Sequence, residues 1–72
     1  MTLHNNLKEI RLRQALTQEQ LARSVGVTRQ TIIAIEKGKF VPSVKLALYL
    51  ASALHSSIAD IFWLENEQGE KG

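Results

Sequence analysis

Residues Thr17–Lys37 read TQEQLARSVGVTRQTIIAIEK, and the order of apolar and capping residues in this stretch decides the fold. Thr17 followed by Gln20 is a capping pair: one side chain accepts from an orphan amide at a helix start, and the other reaches back. Leu21, Ala22 and Val25 then share one face of a helix expected over 18–25. Gly26 stands where a left-handed residue ends a helix. Thr28 is placed to cap a second helix, expected over 29–37, with Ile32 and Ile35 facing inward and Gly38 ending it. The two helices meet across the turn Gly26-Val27-Thr28. Small Ala22 lets them approach, and Leu21, Val25, Val27, Ile32 and Ile35 can fill the shared interior, which is a helix-turn-helix arrangement.

Working outward, Asn6 and Glu9 repeat the capping pattern, and Leu7 and Ile10 give a helix over roughly 6–14 an inner face. After Gly38, the stretch Phe40-Val41-Pro42 is a connector, because a helix does not run through to a proline. Ser43 is positioned to cap a helix over roughly 44–54, where Ala47, Leu50, Ala51 and Leu54 follow the spacing of a buried stripe. His55-Ser56 is a break, and Ser57 can cap a short fifth helix through Ile61, with Asp60 as an acid of the cap region. Met1–His4, anchored by Leu3, and Ile61-Phe62-Trp63-Leu64, dense in strand-favouring residues, can pair as two strands. The expected fold class is all-α: a five-helix bundle with a small antiparallel β pair from its N- and C-terminal segments. Residues 1–66 are expected to form one domain, and the polar, glycine-bearing 67–72 a disordered tail.

Helix 29–37 can be projected at about 100° per residue. Arg29, Gln30, Ile33, Ala34 and Lys37 fall on one side; Thr31, Ile32, Ile35 and Glu36 fall on the other. Ile32 and Ile35 hold the second side to the core, so the first side looks outward. That outward side fits the edges of base pairs in a major groove. An arginine can bond two guanine acceptors at once, a glutamine can pair with adenine in the same manner, and Ile33 or Ala34 can meet a thymine methyl.

With Gly38-Lys39 and Pro42-Ser43 after it, the segment resembles the lambda-repressor/Cro-type family, also called the XRE family. The likeness rests on Thr17-Gln18, Leu21-Ala22, Val25-Gly26-Val27, Thr28-Arg29-Gln30, Ile32 and Glu36-Lys37-Gly38, and it covers about residues 5–64. It is strongest to short stand-alone members that lack an effector domain. The resemblance implies a five-helix bundle that binds palindromic DNA operators as a homodimer. It implies that Arg29, Gln30 and Ala34 read bases, with Ile33 near them, and that Gln18, Thr28 and Lys39 hold the DNA backbone, with Lys37 as a further cation there. It also implies a structural ion pair between Arg11 and Glu36. Ile33 stands where the family often has a polar residue.

The 72 residues include 44% apolar and 22% charged residues and no cysteine, which suits one small globular domain held by helix packing without disulfides. Net charge is only +2, but its distribution is uneven. Residues 1–45 hold eight Lys or Arg against three acids, leaving +5, while 46–72 hold Lys71 against four acids, leaving −3. A basic face for an anion and an acidic end turned away follow from that polarity. No apolar run is long enough to span a membrane, and the first residues carry no signal-peptide pattern, so the expected compartment is the cytoplasm. His4 and His55 lie far apart without clustered ligands, so no metal is expected; no nucleophile–base pair suggests an enzyme, and no cofactor or small-molecule ligand is implied.

The expected partners are double-stranded DNA and a second copy of the chain. Ile61, Phe62, Trp63 and Leu64 have two readings: they close the core, or some of them exceed what a chain this short can bury and, together with Tyr49 outside the inner stripe of its helix, are candidates for the subunit contact. The competing reading is a protein-interaction or antitoxin-like module, in which Ile33 and residues 61–64 are sticky patches. An RNA-binding reading is weaker, since Phe40, Tyr49 and Trp63 form no recognisable stacking platform.

Overall fold

The computed structural model describes residues 1–65, so the expected tail at 67–72 lies outside the described residues. In chain order the elements are β1 (Thr2–Asn5), α1 (Leu7–Arg13), α2 (Gln18–Val25), α3 (Arg29–Glu36), α4 (Val44–Ala53), α5 (Ile58–Ile61) and β2 (Phe62–Glu65). The five helices and the antiparallel strand pair are those expected from the sequence. The strands are each displaced one residue toward the C-terminus. Ile61 is the last residue of α5, and its carbonyl accepts from the Asn6 amide at 3.0 Å, so strand pairing starts after it. The register then matches Asn5 with Phe62, His4 with Trp63, Leu3 with Leu64 and Thr2 with Glu65.

The core is apolar and continuous. Leu7, Ile10, Leu21, Ala22, Val25, Ile32, Ile35, Ala47, Leu50, Ala51, Leu54, Ile61 and Phe62 form it, and Leu3, Leu16 and Val27 pack against it. Every helix contributes, which is how a chain this short builds an interior. Ile32 is wholly buried, worth about 1.5–3 kcal/mol relative to exposure, and it fastens α3 by its inner side.

The caps explain where the helices begin. Thr17 and Gln20 form a complete capping box: the Gln20 amide donates to Thr17 Oγ1 at 3.0 Å and the Thr17 amide to Gln20 Oε1 at 2.8 Å. Ser57 and Asp60 form a second such box, and Ser43 caps α4. Two expected caps are absent. Asn6 makes no side-chain cap; Asn5 takes the role one residue earlier, its Oδ1 accepting from the Leu7 amide at 3.0 Å. The Asn5 Nδ2 also donates to the Ile35 carbonyl at 2.9 Å, so this side chain ties β1 to α3, while the Asn6 Oδ1 is buried without a hydrogen-bond partner. Thr28 makes no cap either; its hydroxyl lies 3.3 Å from that of Thr31.

Left-handed residues close four of the helices. Gly26 and Gly38 have φ of 77° and 74°, as the sequence suggested. Ala15 and His55 have φ of 57° and 53° and do the same job without glycine's freedom. At each, two amides return to carbonyls near the helix end; after Gly38 the Lys39 amide donates to the Ala34 carbonyl at 2.9 Å.

Candidate nucleic-acid interface

Gly26 turns the chain sharply enough that α2 and α3 pack against each other through Leu21, Val25, Ile32 and Ile35. The packing fixes the roll of α3. With Ile32 and Ile35 buried, Arg29, Gln30 and Lys37 are exposed, while Ile33 and Ala34 are half-buried. The outward side therefore carries the arginine, the amide and the cation, with small apolar groups between them. Lys39 is exposed just beyond, and the hydrogen bond that its backbone amide donates to the Ala34 carbonyl holds it against the end of the same helix. Thr28 is exposed at the other end.

Beneath this surface lies a polar chain that starts in the core. Arg11 Nε donates to Glu36 Oε2 at 2.7 Å, and the two side chains are only 6% and 5% exposed. Arg11 Nη2 reaches Glu36 Oε1 at 3.3 Å, and Nη1 donates to the Leu16 carbonyl at 2.8 Å. The pair joins α1 to the last turn of α3, the contact that the family resemblance implied. Gln18 Nε2 donates to Glu36 Oε1 at 3.1 Å, and Arg29 Nε donates to Gln18 Oε1 at 3.3 Å. Arg11, Glu36, Gln18 and Arg29 are thus linked from α1 through α3 and α2 to the exposed edge.

Nothing in the local sequence announces that chain. Gln18 and Glu36 are 18 positions apart, and only the close packing of α2 on α3 makes them neighbours. Asn5 was missed for the same reason: its contact to Ile35 spans 30 positions.

The residues expected at a subunit contact divide in two. Ile61 and Phe62 belong to the protein's own core, at 0% and 9% exposure, so their side chains are not available to another chain. A five-helix chain of this length needs both to close its interior. Tyr49, Trp63 and Leu64 remain exposed, at 50%, 41% and 60%. Tyr49 lies on α4 with Lys45 Nζ 5.8 Å from its ring centre; Trp63 lies on β2, stacked on His4 with ring centres 6.2 Å apart. With Ile61 and Phe62 inside and Ile33 half-buried, the sticky patch that an interaction module would use is much reduced. Among the described residues no group of His, Cys, Asp or Glu is arranged to hold a metal, and no helix is long and apolar enough to cross a membrane.

A fixed helix pair that presents a polar, cationic edge from its second member is the architecture of a DNA-binding helix-turn-helix domain. Comparison with known proteins agrees. The helix-turn-helix family profile matches residues 7–61. The chain is 51% identical over 65 residues to the HTH-type transcriptional regulator YgzD of Bacillus subtilis, covering 90% of this chain and 98% of that one. It is 52% identical over 66 residues to an HTH-type transcriptional regulator of Methanocaldococcus jannaschii, covering 92% and 100%. Among solved structures it is similar to the restriction-modification controller protein C.AhdI of Aeromonas hydrophila, with TM-score 0.71, 33% identity, and 75% and 82% of the two chains covered. It is also similar to the clp gene regulator ClgR of Corynebacterium glutamicum, with TM-score 0.72 and 28% identity, over 75% of this chain and 57% of that one. The chain belongs to the XRE-type helix-turn-helix family of transcriptional regulators, a DNA-binding and non-enzymatic class.

Proposed function

We propose that the protein is a sequence-specific regulator, acting in the cytoplasm as a repressor, that binds an inverted-repeat operator as a homodimer. The observation that carries this reading is the orientation of α3: Ile32 and Ile35 are buried, and Arg29 and Gln30 stand exposed on the opposite side. In this reading Arg29, Gln30 and Ala34 read base edges in the major groove, with Ile33 beside them. Thr28, Lys37 and Lys39 contact the sugar–phosphate backbone, and Gln18 lies at the same edge.

One copy offers one short reading helix, which is a small contact. A two-fold pair sets two such helices about 34 Å apart, one turn of DNA, and so calls for half-sites about 10 bp apart. Tyr49, Trp63 and Leu64 are the exposed apolar residues offered for the subunit contact. Covering the operator excludes polymerase, which is the simplest form of control.

Selection of bound sequences from random DNA tests the reading. The expected product is an inverted repeat with that half-site spacing. Replacing both Arg29 and Gln30 by alanine should cost about 1–3 kcal/mol at each base pair concerned. Equal affinity of the wild type and the double variant in a mobility-shift titration would show that α3 does not read bases. Light scattering at micromolar concentration tests the dimer; a monomer both free and on DNA refutes it.

A further inference from the structure

A second side of the bundle carries a cleft. Arg11 and Arg13 stand about 200° apart round α1, so Arg11 turns in to Glu36 while Arg13 points out elsewhere. There α1 and the corner between α4 and α5 enclose about 290 Å³, lined by Asn6, Ile10, Arg13, Gln14, Ser56 and Asp60. Hydrogen bonds tie the two walls together at both ends: the Asn6 amide donates to the Ile61 carbonyl at 3.0 Å, and Gln14 Nε2 to the Leu54 carbonyl at 2.7 Å. Buried Ile10 supplies the apolar lining. This volume is at the lower end for ligand sites and suits a small molecule.

The bonds already made decide what the cleft still offers. Gln14 Nε2 and the Ser56 hydroxyl both donate to the Leu54 carbonyl, at 2.7 and 3.0 Å, so the two side chains converge on one atom. The Gln14 Oε1 and the lone pairs of Ser56 Oγ remain as acceptors. Asp60 lies one turn further on. Its Oδ2 accepts from the Ser57 amide at 3.2 Å, which turns the carboxylate back toward Ser56. Among the described residues no cation pairs with it. Three acceptors, one of them charged, thus lack donors, and an ammonium group is three donors with no acceptor. Arg13 engages only Glu9, through Nη2 at 3.1 Å, in an exposed pair that contributes little. The rest of its fork is free to take a carboxylate.

We propose that this cleft binds a free α-amino acid with an apolar side chain. Its ammonium lies among Gln14 Oε1, Ser56 Oγ and Asp60, its carboxylate on Arg13, and its side chain over Ile10. Both charges of the ligand are needed. An amine alone leaves the Arg13 fork empty, and a carboxylate alone faces three acceptors and meets repulsion from Asp60. Because the ligand touches α1 and the α4–α5 corner together, it braces the two walls against each other.

The test titrates the full chain with L-leucine and follows backbone amide shifts by nitrogen-15 NMR. Shifts should gather at Ile10, Gln14, Ser56 and Asp60 and half-saturate at about 10 mM, as expected for so small a ligand. The amine 3-methylbutylamine lacks the carboxylate and 4-methylpentanoate lacks the ammonium; each should bind about twofold to fivefold more weakly. Arg13→Gln and Asp60→Asn should each weaken leucine by the same factor. Both positions are exposed, and Asp60→Asn keeps an oxygen for the Ser57 amide, so the unfolding midpoint should hold. Shifts that stay linear in leucine to about 100 mM overturn the proposal. Equal binding of the three compounds overturns the pairing of both charges. Leucine affinity unchanged in both variants removes the site from this cleft.

Discussion

Removing the guanidinium of Arg11 should take away a large share of the stability of this fold. The Arg11–Glu36 contact is 2.7 Å long, with both side chains about nineteen-twentieths buried. Arg11→Met keeps most of the aliphatic stem and deletes the charge. Glu36 is then left buried without its counter-ion, with the Gln18 amide as its remaining side-chain donor. Breaking a buried pair by removing one partner costs about 3–5 kcal/mol, since the surviving group has lost both its water and its counter-ion. The whole domain is stable by only about 4–11 kcal/mol, at 0.05–0.15 kcal/mol per residue. At about 4–8 °C per kcal/mol, the thermal midpoint should drop by about 12–40 °C.

The assay is thermal and urea unfolding followed by circular dichroism, at matched protein concentration so that self-association does not shift the comparison. The informative variant is the double one, Arg11→Met with Glu36→Leu. It removes both charges and fills the space with apolar atoms, and such replacements are often neutral or stabilising. The double variant should therefore be more stable than Arg11→Met alone. A single variant within about 1 kcal/mol of wild type would refute the claim that the pair is desolvated. A double variant as unstable as the sum of the two singles would refute the claim that the loss comes from an orphaned charge.

Lys39→Ala should weaken binding to all DNA sequences about equally and lower the slope of log affinity against log salt by about 1, as for one lost phosphate contact; a change confined to one base pair would place Lys39 among the base readers instead. Ala15→Gly should stabilise the protein by about 0.5–1 kcal/mol. The left-handed conformation of Ala15, φ 57°, costs about 1–2 kcal/mol that glycine does not carry, offset in part by glycine's freer unfolded chain. Thermal unfolding reads it, and an unchanged or lower midpoint counts against the strain.

What was legible in the sequence was local. The Thr17–Gln20 and Ser57–Asp60 boxes, the two glycine stops, and the spacing of Ala47, Leu50, Ala51 and Leu54 each need only neighbours within a turn or two. So the helices, and the roll of α3 with its exposed arginine and glutamine, could be read directly. What was not legible depended on distance. The cap of α1 shifted from Asn6 to Asn5 because Asn5 also finds a carbonyl on α3, a partner the local pattern cannot contain. The break at His55-Ser56 was read, but the left-handed conformation of Ala15 and His55 carries no glycine to mark it. For residues 61–64 the local pattern left core closure and subunit contact open, and only the packed interior divides them, claiming Ile61 and Phe62.

The buried pair raises a question of economy that its stability alone does not answer. Apolar residues of similar volume could occupy the space of Arg11 and Glu36 with no penalty, so stability is a poor reason to bury two charges there. What apolar residues could not supply is direction. Arg11 of α1 grips Glu36 at the end of α3 and donates to the Leu16 carbonyl ahead of α2, and Gln18 of α2 donates to the same carboxylate, so one buried group takes bonds from two other helices at defined angles. Fold and site meet on α3: Ile32 and Ile35, buried on one side of it, set where Arg29 stands on the other.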